Sequence, residues 1–366
     1  MGRIEKMTIS NKIKRFTEVA SYTFDPRQDI ELFGMYGHAN IGDEAMRDAG
    51  LAILPKGRVA PVVPESGIAW LRTKQVNRNR RFLVIGGGTL IHGGSAEGHN
   101  PWLDYIENRV VAGAKITTFG TGVAFTDDQV SNGSSSALRW KKTLDRAQFV
   151  GVRGPRSQKT LSDLGVQAQV FGDAVFSLFD PTLTTNRTPI GQGPDRIFGL
   201  NLGRCHQDQD RFNASMARIA GTIGQDFRIR VFVARPHDLP IAKTVMKLSG
   251  LASDRFEFVC TYIDARQYMK QVAECVAFTG IKMHTSGLAM VAGVPATLCS
   301  YRDKCRDFAI PIGMEHALYE LPVDENHVLK LIEDSLKKPE DFTAISKIAE
   351  FAASQRQAAA QVFLDA

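Results

Sequence analysis

Short apolar runs that end in glycine recur along this chain, and a segment of helical character follows most of them. Phe82–Ile85 runs into Gly86-Gly87-Gly88, and Ile116–Phe119 into Gly120-Thr121-Gly122. Ala168–Phe171 runs into Gly172-Asp173, and Val276–Phe278 into Thr279-Gly280. Short runs that are almost wholly apolar mark strands buried on both faces, as in parallel sheets. Glycine at a strand exit lets the backbone turn tightly or approach a ligand closely. Parallel strands need crossover connections, and the intervening helices supply them. The pattern therefore predicts an α/β fold of doubly wound, parallel sheets.

Residues 1–28 form a basic lead-in. The first strand is expected within Asp29–Tyr36, followed by the turn Gly37-His-Ala-Asn40-Ile-Gly42-Asp43-Glu44 and a helix over Ala45–Leu54. Asp43 is placed to cap that helix or to meet a ligand. Residues 181–194 are polar and rich in Thr, Pro and Gly, the composition of a linker. After them the strand–helix rhythm restarts at Ile197. The chain thus divides into a Rossmann-like domain over 29–180, a linker over 181–194, a second such domain over 195–330 and closing helices over 331–366. A cleft lined by strand exits from both domains follows from that division.

Composition excludes several classes. With 43% hydrophobic and 23% charged residues, the chain has the balance of a globular protein. No apolar run reaches the roughly 18 residues of a membrane helix, and the N-terminal residues lack the apolar core of a secretory signal. Five cysteines without CxxC spacing argue against a disulfide framework or a zinc site, and for a cytoplasmic location. A net charge of +6 suits an anionic substrate or a membrane surface. The chain carries no signature of nucleic-acid binding. The basic stretch from Leu71 to Arg81 reads as a solvated face, and peripheral contact with the inner face of a membrane through it would be electrostatic.

The stretch Val276–Phe308 concentrates the chemistry. A helix is expected over Thr285–Ala292, ended by Gly293, then a strand over Val294–Leu298 and a charged loop from Tyr301. Lys282 and His284 fall at the strand exit, two residues apart and therefore on one side of an extended segment. The N–H groups of Ser286 and Gly287 would add the pull of a helix N-terminus on an anion. Lys304 follows the next strand at the same end of the sheet. Together these groups outline a site for anion binding and proton transfer.

These motifs, in this order, resemble the polysaccharide pyruvyl transferase family over roughly Leu32 to Phe308. Gly37 to Glu44 resembles the family's Gly-x-x-Asn-x-Gly-Asp-Glu loop, Phe82–Ile91 its triple-glycine strand, and Gly120-Thr-Gly122 its Gly-x-Gly turn. Arg153-Gly-Pro-Arg156-Ser157 through Gly172-Asp173 is similar to its arginine-containing segment, and Ser300-Tyr301-Arg-Asp-Lys304 to its Ser-Tyr-x-x-Lys loop. Lys282-Met283-His284 stands where the family usually has Arg-x-His. Lysine keeps the charge there but loses the bidentate fork.

The resemblance implies two Rossmann-like domains facing a cleft, similar to B-type glycosyltransferases. It implies transfer of a pyruvyl unit from phosphoenolpyruvate (PEP) to two hydroxyls of a sugar, as a ketal on an exopolysaccharide or a lipid-linked oligosaccharide. It implies no cofactor and no metal. His284 would protonate the donor, and Asp43, Glu44 and Asp173 are the candidates for the base. Lys282, Arg153, Arg156, Lys304, Ser286 and Gly287 would hold PEP. Gly37, Asn40, Glu44, Gly86, Gly87, Gly88 and Thr89 would meet the acceptor. Two alternatives stand beside this reading: a nucleotide-sugar-dependent glycosyltransferase of similar build, and a non-catalytic sugar-binding relative.

Overall fold

A computed structural model describes residues 28–62, 81–94, 99–185, 196–205, 207–337 and 344–364. The basic lead-in, residues 71–80 of the basic stretch and most of the linker lie outside the described residues. Two parallel sheets organise the chain. The first contains β1 (Ile30–Phe33), β2 (Val59–Val62), β3 (Phe82–Ile85), β4 (Gly88–His92), β5 (Lys115–Ala124), β6 (Phe149–Val152) and β7 (Gln169–Val170). Its order is β2-β1-β3-β5-β6-β7, with β4 also paired to β5. The second contains β8 (Ile197–Asn201), β9 (Arg228–Phe232), β10 (Phe256–Val259), β11 (Cys275–Gly280), β12 (Ala296–Cys299) and β13 (Leu318–Tyr319), in the order β10-β9-β8-β11-β12-β13. Every strand pairing is parallel.

Strand order reverses between β1 and β3 in the first sheet, and between β8 and β11 in the second. Ligands of open α/β sheets bind in the crevice at such reversals, beyond the carboxyl ends of the strands. At the second reversal, Asn201 ties β8 to β9 and to the turn after β11. Its Nδ2 donates to Phe232 O (2.8 Å) and its Oδ1 accepts from Lys282 N (3.0 Å). The strand β11 runs through Thr279-Gly280, where glycine was expected to end it. Gly280 is there for packing, since a Cβ would lie 2.8 Å from Asn201 Cβ. The next helix starts at Met283 (Met283–Val291), two residues earlier than expected. Tyr301 onward is not a charged loop throughout, because Asp303–Ala309 is helical.

The halves are joined by more than a linker. One apolar core runs from Met46 and Ala49 of the helix Ile41–Ile53, through Val175 and Phe176, to Leu288 and Ala289 in the second half. The helix Ala344–Leu364 returns to the first half, where the Phe363 ring meets Phe82 at 5.2 Å. Gln355 on it donates to the carbonyls of Phe171 and Asp173, both at 3.0 Å.

Polar pins reinforce this contact. Ile41 N donates to Ala234 O at 3.0 Å. The helix Pro155–Asp163 has no cap of its own, because its N-cap residue is Gly154. Asp307, from the other half, supplies one: its Oδ1 accepts from Arg156 N (2.9 Å) and Ser157 N (3.2 Å), and its Oδ2 from Ser157 Oγ (2.6 Å). Gly154 makes room, since a Cβ there would stand 2.0 Å from Asp307 O. Asp307→Ala should therefore lower stability by about 1–3 kcal/mol, the cost of leaving such donors unsatisfied. Denaturant unfolding checks this, and an unchanged midpoint would show that the cap contributes nothing.

Candidate active site

A cavity of about 210 Å³ opens between the halves, at the carboxyl ends of both sheets. The first half lines it with Asn40, Asp43, Gly88, Thr89 and Arg153, the second with Arg235, Lys282, His284 and Lys304. Lys282 is the N-cap residue of the helix Met283–Val291. Thr285 Oγ1 donates back to Lys282 O at 2.6 Å, which fixes the turn. The Lys282 ammonium donates to Arg204 O at 3.1 Å and lies against Gly203, where a Cβ would come within 2.8 Å of its Cε. Burial is the main influence that lowers the Lys282 pKa.

His284 reaches across to the first half. Its Nε2 lies 3.5 Å from Asp173 Oδ2 and makes no hydrogen bond among the described residues. Gly42 admits the ring, since a Cβ would lie 2.8 Å from His284 Nδ1. Asp173 is fully buried, accepting from Arg153 Nε (2.6 Å) and from Val175 N (3.1 Å). Burial pushes the Asp173 carboxyl up, but Arg153 and His284 together outweigh it and hold the group at about 2. The carboxylate is thus ionised at neutral pH and stabilises positive charge on the imidazole. Arg153 Nη1 is 3.4 Å from Thr89 Oγ1, next to Gly122, and its Nη2 is buried without a hydrogen bond among the described residues.

Two more titratable groups face the cavity. Asp43 is raised chiefly by burial, against the pull of His284, and accepts from Asn40 Nδ2 at 2.7 Å. Asn40, not Asp43, caps the helix Ile41–Ile53, accepting from Gly42 N at 3.3 Å. Burial lowers Lys304 to about 8, and its Nζ lies 5.3 Å from the Tyr301 ring centroid.

Several residues expected at the site stand outside this cavity. Ser286 N donates to Lys282 O (3.3 Å) and its hydroxyl to Thr297 O (3.1 Å), because the helix begins earlier than expected. Gly287 sits mid-helix, where a Cβ would be 2.8 Å from the Phe308 ring. Arg156 turns outward to Asp303 (3.1 Å), its backbone held by Asp307. Glu44 is buried and accepts from Gly37 N at 2.9 Å, so both shape the loop from within. Gly86 and Gly87 serve packing: a Cβ would lie 2.6 Å from Tyr36 Oη in one case and 2.0 Å from Met46 Sδ in the other. Conversely, Arg235 lines the cavity though no motif pointed to it. Its signal was available, since it follows the strand β9 as the other site cations follow theirs.

A family model described as polysaccharide pyruvyl transferase matches residues 40–303, which takes in the residues named above as lining this cavity except Lys304. The chain belongs to this family. The family member's fold is also that of B-type glycosyltransferases and UDP-N-acetylglucosamine 2-epimerases. A protein from Listeria monocytogenes assigned as a UDP-N-acetylglucosamine 2-epimerase is 11% identical, with a TM-score of 0.57 over 93% of this chain and 98% of that one. A trehalose-6-phosphate synthase is 9% identical, with a TM-score of 0.56 over 92% and 98%. The Neisseria meningitidis UDP-GlcNAc 2-epimerase, solved with UDP-GlcNAc, is 10% identical, with a TM-score of 0.55 over 92% and 99%. Comparison with curated proteins gives no match.

The pairing of Asp173 makes a test of pH. A carboxyl held at about 2, against 3.8 ordinarily, contributes stability above pH 3.8 that is lost as pH falls through about 2. Asp173→Asn should remove that acid-sensitive component. At pH 7 it should cost about 3–5 kcal/mol by leaving Arg153 buried and unpaired. Chemical denaturation across pH checks both, and equal stability of the two proteins at pH 7 would contradict the assignment.

Proposed function

We propose that this family member transfers the pyruvyl unit of PEP to two hydroxyls of a sugar, forming a cyclic ketal on a polysaccharide or its lipid-linked repeat unit. The observation that carries the proposal is one cavity holding a histidine backed by an ionised carboxylate, ringed by cations from both halves. PEP brings a carboxylate and a phosphate, and such cations answer that charge. At about 210 Å³ the cavity falls below the roughly 300–1,000 Å³ typical of drug-sized ligands, which favours a compact donor over a nucleotide sugar. The sugar then extends beyond it.

In this scheme the imidazolium of His284 gives its proton to the methylene carbon of PEP, making C2 electrophilic. Asp173 steadies the imidazolium and fixes its orientation. A sugar hydroxyl adds to C2 and loses its proton to Asp43, whose burial raises its basicity toward the useful range. Departure of phosphate, with Arg153 and Lys304 neutralising it, leaves C2 open to the second hydroxyl, which adds and gives its proton to the now neutral His284. The scheme calls for no metal or organic cofactor. No described helix is long and apolar enough to cross a membrane.

His284→Ala should lower turnover by about 10²–10⁴, the usual worth of general acid catalysis, with a much smaller change in PEP affinity. In deuterated water the wild type should place deuterium in the product methyl group. Turnover at the wild-type rate in the variant would remove His284 as the acid. Lys304 supplies a second test, because its ammonium is cationic below about pH 8 and discharges above it. PEP affinity should therefore decline as pH rises through 8, and Lys304→Arg should abolish that decline. Identical pH profiles would exclude Lys304 from donor binding.

A further inference from the structure

Arg235 stands at the exit of β9, in extended backbone (φ −156°, ψ 158°). The residue before it, Ala234, accepts from Ile41 N across the domain interface, so both halves fix its place. Asp238, buried to 1% exposure, stands behind the guanidinium. Its Oδ2 is 3.4 Å from Arg235 Nε, and its Oδ1 accepts from Arg204 N at 3.1 Å. This contact orients the Nε side. Asp238 is the ion-pair partner of Arg235, and among the described residues no hydrogen bond occupies either Nη group.

The other cations of the cavity are more committed. Arg153 uses Nε on Asp173 and Nη1 on Thr89, and the Lys282 ammonium is bonded to Arg204 O. The four cations also fall into two poles. Burial lowers the Lys282 pKa, Asp238 raises it, and Arg235 lowers it again to a smaller extent; Arg153 likewise lowers that of Lys304 beneath the larger effect of burial. Asp238 offsets part of the repulsion between Arg235 and Lys282, and a donor anion between the cations would relieve more of it. A donor with two anionic groups matches two such poles.

We propose that Arg235 binds the carboxylate of the donor, forking it through its two Nη groups with Lys282 alongside, while Arg153 and Lys304 face the phosphate. The inference rests on the reading of PEP as donor. A planar guanidinium meets a planar carboxylate through two parallel N–H···O bonds, which a lysine ammonium cannot reproduce. Arg235 thereby supplies the fork that Lys282 lacks, from a different strand exit.

Titration calorimetry with PEP and, separately, with inorganic phosphate tests this on the full chain. Arg235→Ala should weaken PEP binding roughly 10–100-fold, the range of a charged hydrogen bond, and leave phosphate affinity nearly unchanged. Arg235→Lys, which keeps the charge and guards against misfolding, should recover only part of the loss. Adding Lys282→Arg to Arg235→Ala should also recover part, by restoring a fork beside the same carboxylate. Wild-type PEP affinity in Arg235→Ala, or an equal loss of phosphate affinity, would overturn the assignment alone. Failure of the wild type to bind PEP would instead overturn the donor reading, and this inference with it.

Discussion

The buried contact of Arg153 with Asp173, and of Asp173 with His284, is the interaction on which the site depends. It joins the exit of β6, the loop after β7 and the helix that follows β11, and so crosses from one half of the protein to the other. A buried ion pair adds little net stability, because desolvation offsets most of its Coulomb energy. Its consequence is organisation. Asp173 remains ionised in a dry setting, Arg153 is held with one Nη still uncommitted, and His284 can reach its carboxylate only when the halves are docked. The shared apolar core and the cap that Asp307 gives to the helix Pro155–Asp163 maintain that docking.

Glycine underlies the same geometry. Gly42, Gly122 and Gly203 each lie where a Cβ would strike a functional side chain, respectively His284, Arg153 and Lys282. These residues leave the space the site side chains occupy. Gly86 and Gly87, in the most conspicuous glycine run, instead accommodate Tyr36 and Met46 beneath the site. A glycine in the sequence thus announces close approach without saying what approaches.

Much of the fold was legible because strand periodicity is a local property, although β5 runs through Gly120 and Gly122 and β11 through Gly280, where glycine was expected to end the strand. The βα alternation and the second restart at Ile197 follow from that periodicity. What was not legible was decided by contacts distant in sequence. Gly280 lets β11 pass close to Asn201, which also holds Lys282 N, and the next helix starts at Met283, placing Ser286 and Gly287 away from the site. Arg156 looked like an anion ligand, but Asp307 takes its backbone and Asp303 its side chain. The short helix Ala265–Val272 was legible but passed over, since Ala265, Tyr268, Met269 and Val272 form an i, i+3, i+4, i+7 buried stripe and Asp264 caps it. Arg235 escaped notice because it lies in no motif, and only the three-dimensional cavity brings it beside Lys282.

Proton transfer, donor charge and the docking of the halves meet in a single claim, that the cavity between the sheets processes PEP. The most direct measurement is incubation of the purified protein with PEP and a panel of pyranosides, reading phosphate release and the mass of the sugar. The account predicts phosphate release in step with the mass gain of a pyruvyl ketal on at least one sugar. Binding or turnover of a nucleotide sugar in the same assay, with PEP left intact, would contradict it.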